Sequence, residues 1–351
     1  MKIMNILLTG GAGYIGSHTA LALLNAGHTP ILLDNFSASD PKILTLLKAA
    51  AKKDILFYEG NVGNQTLIRQ ILKEHSVDVV MHFAAFKAVG ESVKNPLAYY
   101  KNNVSEFVNL LSAMDAEKVR NLIFSSSCTV YGNPVRLPVS EDFSYGFNNP
   151  YGHTKVVCEQ ILESVCVSNK GWKVGKLRYF NPVGSHDSGY FGELPVGLPS
   201  NLMPYLDQVA SGEVQKLYIF GGDYPTGDGT CIRDYVHISD LSEGHIASLE
   251  GLIKVGSHAV NLGTGIGYSV LEVVAEYERV TRKKIPYEII GRRPGDVPAA
   301  FADPSMAFQV LGWKAKRSLG EMCLSSYSWR MQLPTLLSSC NLAPIGISPL
   351  E

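Results

Sequence analysis

Tyr151 and Lys155 stand four residues apart, and the run Ser125-Ser126-Ser127 lies about 25 residues upstream. Four residues is one helical turn, so the phenol and the ammonium share a face. An ammonium beside a phenol favours the phenolate, which lets tyrosine act as a base near neutral pH. Lys155 can also bond the ribose of a nicotinamide nucleotide. Pro150 precedes the pair and suits the first turn of a helix. Ser127 follows an apolar run and so falls at the end of a strand, where its hydroxyl can bond a reacting oxygen. The pattern alone does not fix which serine reaches a substrate, since Ser125 and Ser126 read equally well as strand-end support. Tyr-x-x-x-Lys occurs in many helices, and its meaning here comes from its company. The chemistry it points to is proton removal from an alcohol, coupled to hydride transfer.

The partner for a hydride is indicated near the N-terminus. Gly11, Gly13 and Gly16 form G-x-G-x-x-G, and Gly10, Gly13 and Gly16 form G-x-x-G-x-x-G. The first glycines permit a tight turn, Gly13 lets backbone approach a pyrophosphate, and Gly16 lets a helix pack close to a strand. The phosphates are expected at the helix N-terminus. The loop follows a strand-like run, opens a helix, and precedes an acid, Asp34, by about 20 residues. Asp34 is suited to the adenosine ribose hydroxyls and repels a 2′-phosphate, which favours NAD over NADP. Asn35 can add a ribose or adenine contact.

These groups need a scaffold. Apolar runs at residues 3–9, 30–34, 55–58, 78–83, 121–126 and 173–179 read as strands. Between them, residues 14–26, 42–52, 65–74, 102–114 and 154–168 read as helices. Such alternation predicts an α/β fold, a Rossmann-type doubly wound parallel sheet with right-handed crossovers. Beyond about residue 181 the pattern loosens into Gly- and Pro-rich stretches at 181–200 and 221–229. Helices are expected at 202–211 and 238–252, with 260–262 returning to the main sheet. The chain thus divides into an NAD-binding domain over 1–180, with its sheet completed by later segments, and a smaller mixed domain over 181–332 that mainly binds substrate. Residues 333–351, rich in Pro, Ser and Leu, read as an irregular tail.

Bulk properties narrow the function. The 351 residues carry 31 basic and 32 acidic side chains, a formal net charge of −1, without a basic stripe for nucleic acid. No apolar run reaches membrane-spanning length. The N-terminus goes directly into a strand and the glycine loop, without the layout of a signal peptide, so a cytoplasmic protein is expected. The six cysteines are scattered without metal-ligand spacing and read as free thiols, with no metal site.

Taken together, residues 9–19, 82–92, 125–132, 178–184, 201–205, 228–237 and 292–298 closely resemble the sugar-nucleotide 4-epimerases of the extended short-chain dehydrogenase/reductase family. The resemblance runs from about residue 5 to about residue 330, and Lys87-Ala88-Val89-Gly90-Glu91-Ser92 is its most pointed segment. It implies NAD-dependent 4-epimerisation of UDP-glucose and UDP-galactose through a bound 4-keto sugar. It implies Ser127, Tyr151 and Lys155 as catalytic residues. Cofactor contacts are implied for Gly10, Gly13, Tyr14, Ile15, Gly16, Asp34, Asn35, Asn61, Phe83, Lys87, Asn102, Tyr151, Lys155 and Tyr179. Substrate contacts are implied for Lys87, Ser127, Asn181, Asn201, Leu202, Arg233, Arg293, Asp296 and Ala300. Arginine forks suit a diphosphate independently of any resemblance. A homodimer is also implied, with the helices near 95–114 and 154–168 as candidate interfaces.

Three positions depart from the family pattern. Asn61 stands where an aspartate is usual for the adenine amino group, which removes a charge near the cofactor. Ala300 stands where a tyrosine restricts the family to UDP-glucose and UDP-galactose, so activity on UDP-N-acetylglucosamine and UDP-N-acetylgalactosamine is expected as well. The tail after Trp329 has no family counterpart. Rival readings are a UDP-uronic acid 4-epimerase, a sugar-nucleotide dehydratase, and a non-catalytic dinucleotide sensor. A dehydratase needs an acid/base pair just after Ser127, where this chain has Cys128-Thr129-Val130-Tyr131 and no carboxylate. A uronic acid enzyme needs an arrangement for the sugar carboxylate, and a sensor need not keep Ser127, Tyr151 and Lys155.

Overall fold

The computed structural model describes residues 2–189, 191–194, 201–293 and 295–339. The first half runs β1 (Asn5–Thr9), α1 (Tyr14–Asn25), β2 (Thr29–Asp34), α2 (Lys42–Ala51), β3 (Leu56–Glu59), α3 (Gln65–Glu74), β4 (Val79–His82), α4 (Val89–Lys94), α5 (Pro96–Tyr100), α6 (Glu106–Ala116), β5 (Asn121–Ser127), α7 (Pro150–Ser168) and β6 (Lys173–Tyr179). The central strands β1, β2 and β4 are apolar because both faces are covered; Ile6, Leu7 and Leu8 are all fully buried. Local signals start the helices. Asn64 caps α3 by accepting from Leu67 N, and its buried Leu67, Ile68, Ile71 and Leu72 repeat at helical spacing. Asn149 caps α7 through Gly152 N, with Pro150 in the first turn.

The second half contributes β7 (Asn181–Val183), α8 (Leu202–Ala210), β8 (Leu217–Phe220), β9 (Ile232–His237), α9 (Ile238–Lys254), β10 (His258–Leu262), β11 (Gly267–Ser269), α10 (Val270–Thr281), β12 (Tyr287–Ile290), β13 (Ala299–Ala300), α11 (Ser305–Leu311) and α12 (Leu319–Ser339). The main sheet is seven-stranded, ordered β3-β2-β1-β4-β5-β6-β10. All its pairings are parallel. This is the Rossmann order with one further strand, and its direction of winding reverses between β1 and β4. A crevice therefore opens there, at the carboxyl ends of the strands. β7, β9, β11 and β13 form a smaller sheet and β8 pairs with β12 beside it. These sit with α8, α10 and α12 around a second core that includes Met203, Leu206, Tyr277 and Met322. The first core is not confined to the N-terminal half: Ile238, Leu241 and Leu249 of α9 and Trp329 of α12 pack into it beside Leu8 and Leu23.

The elements differ from expectation in several places: α4 and α5 have no counterpart among the expected helices. α7 begins at Pro150, so Tyr151 lies inside its first turn. The helix expected at 102–114 opens with a π-helical turn over Lys101–Ser105, where Glu106 N bonds Lys101 O, and continues to Ala116. The irregular tail is corrected for its first seven residues, since α12 continues to Ser339. Leu333 is buried and Leu336 and Leu337 pack on the first core, which outweighs the helix-breaking tendency of Pro334. The rest of that tail, 340–351, and Cys340 with it, lies outside the described residues. The other five cysteines are free thiols.

Candidate active site

The glycine loop forms a cradle at the switch point. Gly10 has φ +71°, and a Cβ there would meet Ala84 N at 2.6 Å. A Cβ on Gly16 would sit 2.4 Å from Gly10 O, so α1 can approach the loop only without a side chain there. Gly13 is the N-cap of α1 and offers no side chain to its first N–H groups, which leaves them for an anion. Two adjoining cavities flank this loop. One, lined by Gly10, Gly13, Asp34, Asn35, Phe83 and Asn102, suits an adenosine. The other passes Tyr14, Ile15, Gly16 and Lys87 and suits a pyrophosphate. The cradle therefore fits NAD.

Several predicted cofactor residues are partly committed to the protein itself. Asp34 accepts from Ala12 N at 3.0 Å, Phe36 N at 2.9 Å and Ser39 Oγ at 3.0 Å. It thus builds the loop that it borders and keeps limited capacity for a ribose. Asn35 folds onto Ser37 N at 3.0 Å. Asn61 Oδ1 accepts from Gly63 N at 2.6 Å, so its amide oxygen is engaged in its own turn. Gly60 and Val62, its neighbours, line the adenosine cavity. Asn102 donates to Asn103 Oδ1 at 2.9 Å from within the π turn. Tyr179 bonds His245 Nε2, whose other ring nitrogen meets Leu241 O at 2.8 Å, and Phe83 packs on the same imidazole.

Tyr151, Lys155 and Ser127 converge at the carboxyl edge of β5. Side chains alternate along a strand. Ser126 is turned to α7, where its hydroxyl donates to Glu159. Ser127 Oγ accepts from Thr129 N at 3.3 Å, and Ser127 lines the same cleft as Tyr151. Burial pushes Tyr151 up to about 12, with Ser127 pulling the other way. Lys155 Nζ donates to Ser125 O at 2.6 Å and lies 5.0 Å from the Phe124 ring. Burial lowers Lys155 to about 8, against Cys158 and Glu159, which raise it.

The same edge opens into a cleft of about 610 Å³. Its walls include Lys87, Ser127, Tyr151, Asn181, Asn201, Arg233, Arg293, Asp296 and Ala300. Asp296 draws the two arginines together: Arg293 Nε and Nη2 donate to it at 3.1 and 3.0 Å, and Arg233 Nη2 lies 3.8 Å away. Asn201 is the N-cap of α8, makes no capping bond with its side chain, and lines the cleft. Leu202 differs: its side chain packs into the second core, and its backbone alone is at the helix start. Ala300 pairs in register with Arg233, which places its methyl group on the cleft wall. Sequence reading missed Glu193, which accepts from Lys87 at 3.4 Å, and Phe220, whose exposed ring lies 5.7 Å from the Arg293 guanidinium. It also missed Cys128 as a cleft residue, with a thiol that burial raises to about 11. Each comes from a loop or strand end, where no spacing rule marks it.

Fold and site together define a dinucleotide-dependent enzyme of the short-chain dehydrogenase/reductase type. A family model described as GDP-mannose 4,6 dehydratase matches residues 7–325. A UDP-glucose 4-epimerase from Bacillus subtilis (strain 168) is 50% identical over 328 residues, covering 93% of this chain and 97% of the relative. The structure of a UDP-glucose 4-epimerase from Bifidobacterium longum in complex with NAD+ and UDP superposes with a TM-score of 0.92 at 46% identity, covering 94% of this chain and 99% of that one. A UDP-Glc/GlcNAc 4-epimerase from Campylobacter jejuni superposes with a TM-score of 0.80 at 36% identity, covering 94% and 99%. The chain belongs to the GDP-mannose 4,6 dehydratase family and, within it, to the UDP-glucose 4-epimerases.

Proposed function

We propose that the protein is an NAD-dependent isomerase that inverts C4 of UDP-glucose and UDP-galactose. The observation that carries this reading is the meeting of two features in one cleft: Tyr151, Lys155 and Ser127 at one end and the Arg233–Asp296–Arg293 cluster at the other. Bound NAD supplies the reversible hydride acceptor. Tyr151 Oη takes the proton of the 4′-hydroxyl, and Ser127 Oγ holds the same oxygen. Lys155 stabilises the phenolate and orients the nicotinamide ribose. Arg233, Arg293, Asn201 and the N-terminus of α8 hold the diphosphate, Asn181 adds an amide, and Asp296 accepts from hydroxyls of the uridine. With the nucleotide end fixed, the 4-keto hexose stays bound and presents either face, so the configuration changes with no net oxidation.

Ala300 extends the substrate range. A methyl group on that wall leaves space beside the 2′ position of the sugar, where a phenol ring would overlap an acetamido group. Turnover of UDP-N-acetylglucosamine and UDP-N-acetylgalactosamine is therefore part of the proposal. So is a homodimer formed through α5, α6 and α7, whose outer faces expose apolar side chains such as Leu97, Val108 and Val167. Cytoplasmic residence belongs to the same reading. The test runs UDP-galactose and UDP-N-acetylgalactosamine side by side, with and without added NAD. Conversion of both supports the full reading. Conversion of UDP-galactose alone removes the Ala300 argument, and conversion of neither with NAD present rejects the epimerase.

A further inference from the structure

The face of α7 turned to the sheet carries Tyr151, Lys155 and Glu159 at successive turns. The first two line the cleft, and the third does not. Glu159 is fully buried and heavily bonded. Arg178 Nε donates to its Oε1 at 3.0 Å and Arg178 Nη2 to its Oε2 at 2.8 Å. Ser126 Oγ donates to Oε1 at 2.5 Å, and the Tyr145 hydroxyl to Oε2 at 2.9 Å. Ser126 and Arg178 are register partners on β5 and β6, so both side chains rise from the same face of the sheet to meet the carboxylate. Arg178 is held in turn by the Tyr131 hydroxyl at 2.9 Å.

A buried ion pair contributes little net stability compared with a well-packed apolar pair of the same volume. What this one provides is direction: donors from two strands and a loop converge on one side chain of the helix that bears the proton-transfer groups. Each serine of the Ser125-Ser126-Ser127 run then goes with a different turn of α7. Ser127 lines the cleft with Tyr151, Ser125 meets Lys155 through its carbonyl, and Ser126 meets Glu159.

We propose that Glu159 is a positioning residue for the reaction, its carboxylate clamped by Arg178 and Ser126 so as to fix α7 on β5 and β6 and thereby the Tyr151–Ser127 geometry. The proposal rests on the reading of Tyr151 and Lys155 as the proton-transfer pair. Glu159 has an electrostatic effect too, because its charge opposes the loss of the Lys155 proton in a buried setting. The groups that face Lys155 are Tyr151, Cys158 and Glu159 on α7, Ser125 O and the Phe124 ring on β5, and His82 on β4. Burial holds His82 neutral and raises the Cys158 thiol to about 12, so Glu159 is the anion among them near neutral pH. On β6, Arg178 and Lys176 are turned to Glu159.

The experiment measures kcat, KM and the pH dependence of kcat for UDP-galactose in the NAD-loaded parent, in Glu159→Gln and in Glu159→Gln/Arg178→Met. The double variant avoids leaving a buried guanidinium unpaired. The expected result is a fall in kcat of roughly 10- to 100-fold with KM unchanged, as for a small displacement of reacting groups. The alkaline limb of kcat moves to lower pH in Glu159→Gln, where the anion is lost and the Arg178 cation stays. A folded variant with lowered thermal stability but parental kcat and a parental alkaline limb overturns the proposal. If neither variant folds, Ser126→Ala decides: it leaves the ion pair in place, a reduced kcat is expected, and parental kcat overturns the positioning role. An inactive parent rejects the epimerase reading itself, and is thereby distinguished from failure of the present one.

Discussion

Tyr151 is a phenol that burial holds at about 12, so near neutral pH it carries its proton until substrate and cofactor change its surroundings. Removing the hydroxyl removes the base while leaving the glycine cradle intact. Tyr151→Phe is therefore expected to lower kcat by at least about 100-fold. Bound NAD, read from the absorbance of the denatured supernatant, stays at the parental level. Ala300 offers a second test at this scale. Its register opposite Arg233 fixes where a larger side chain would project. Ala300→Tyr is expected to cut turnover of UDP-N-acetylgalactosamine by about tenfold or more while sparing UDP-galactose. Equal losses on both sugars would show that the ring disturbs the cleft as a whole.

Among the elements, α8 brings Asn201 to the cleft and is anchored by Asp207 at its far end. The Asp207 carboxyl is buried, accepting from the Tyr277 hydroxyl of α10 at 2.7 Å and from Ser326 Oγ of α12 at 2.5 Å. Burial raises it to about 7, against about 4 in an unfolded chain. The folded chain thus keeps this proton across a window where the unfolded chain has lost it. Asp207 makes stability fall as pH rises from about 4 to about 7. In Asp207→Asn that component is absent, and thermal unfolding followed against pH is expected to show a flatter profile over the same window.

How far such elements can be read from sequence depends on what signals them. β1, β2 and β4 were legible as short apolar runs buried on both faces and bounded by turns, and α1, α2 and α3 as the periodic stretches between strands, whereas α4 and α5 carried no such signal. β7, β9 and β13 were not, because they are short, lie among Gly and Pro, and exist through pairing with one another. The end of α12 was hidden by Pro334, whose local cost is overcome by the packing of Leu333, Leu336 and Leu337. The proton-transfer residues were legible from spacing, but the division of labour among the three serines needed the pleat of β5. Asn61 was an adenine contact only by the family resemblance, and the structure shows its amide oxygen bonded to Gly63 N.

At the scale of the whole molecule, the apolar side chains left exposed on α4 to α7 gather near one another in the chain. Leu97 is 82% exposed and Val93 53% exposed. Burial between two copies would remove that surface from water. If the proposed homodimer forms through this face, Leu97→Glu is expected to shift it to monomer in sedimentation velocity. A parental sedimentation coefficient would place the interface elsewhere.

β10 has a consequence for how the protein is made. The strand beside β6 is supplied by residues 258–262, about 80 positions later in the chain. During synthesis β6 emerges from the ribosome well before its neighbour. Until β10 arrives, the nascent sheet ends in an open row of backbone donors and acceptors, available to any passing strand. Trp329 of α12, which packs into the first core, comes later still. The nucleotide-binding half cannot close its own border, so completion of the fold waits for nearly the whole polypeptide to leave the exit tunnel.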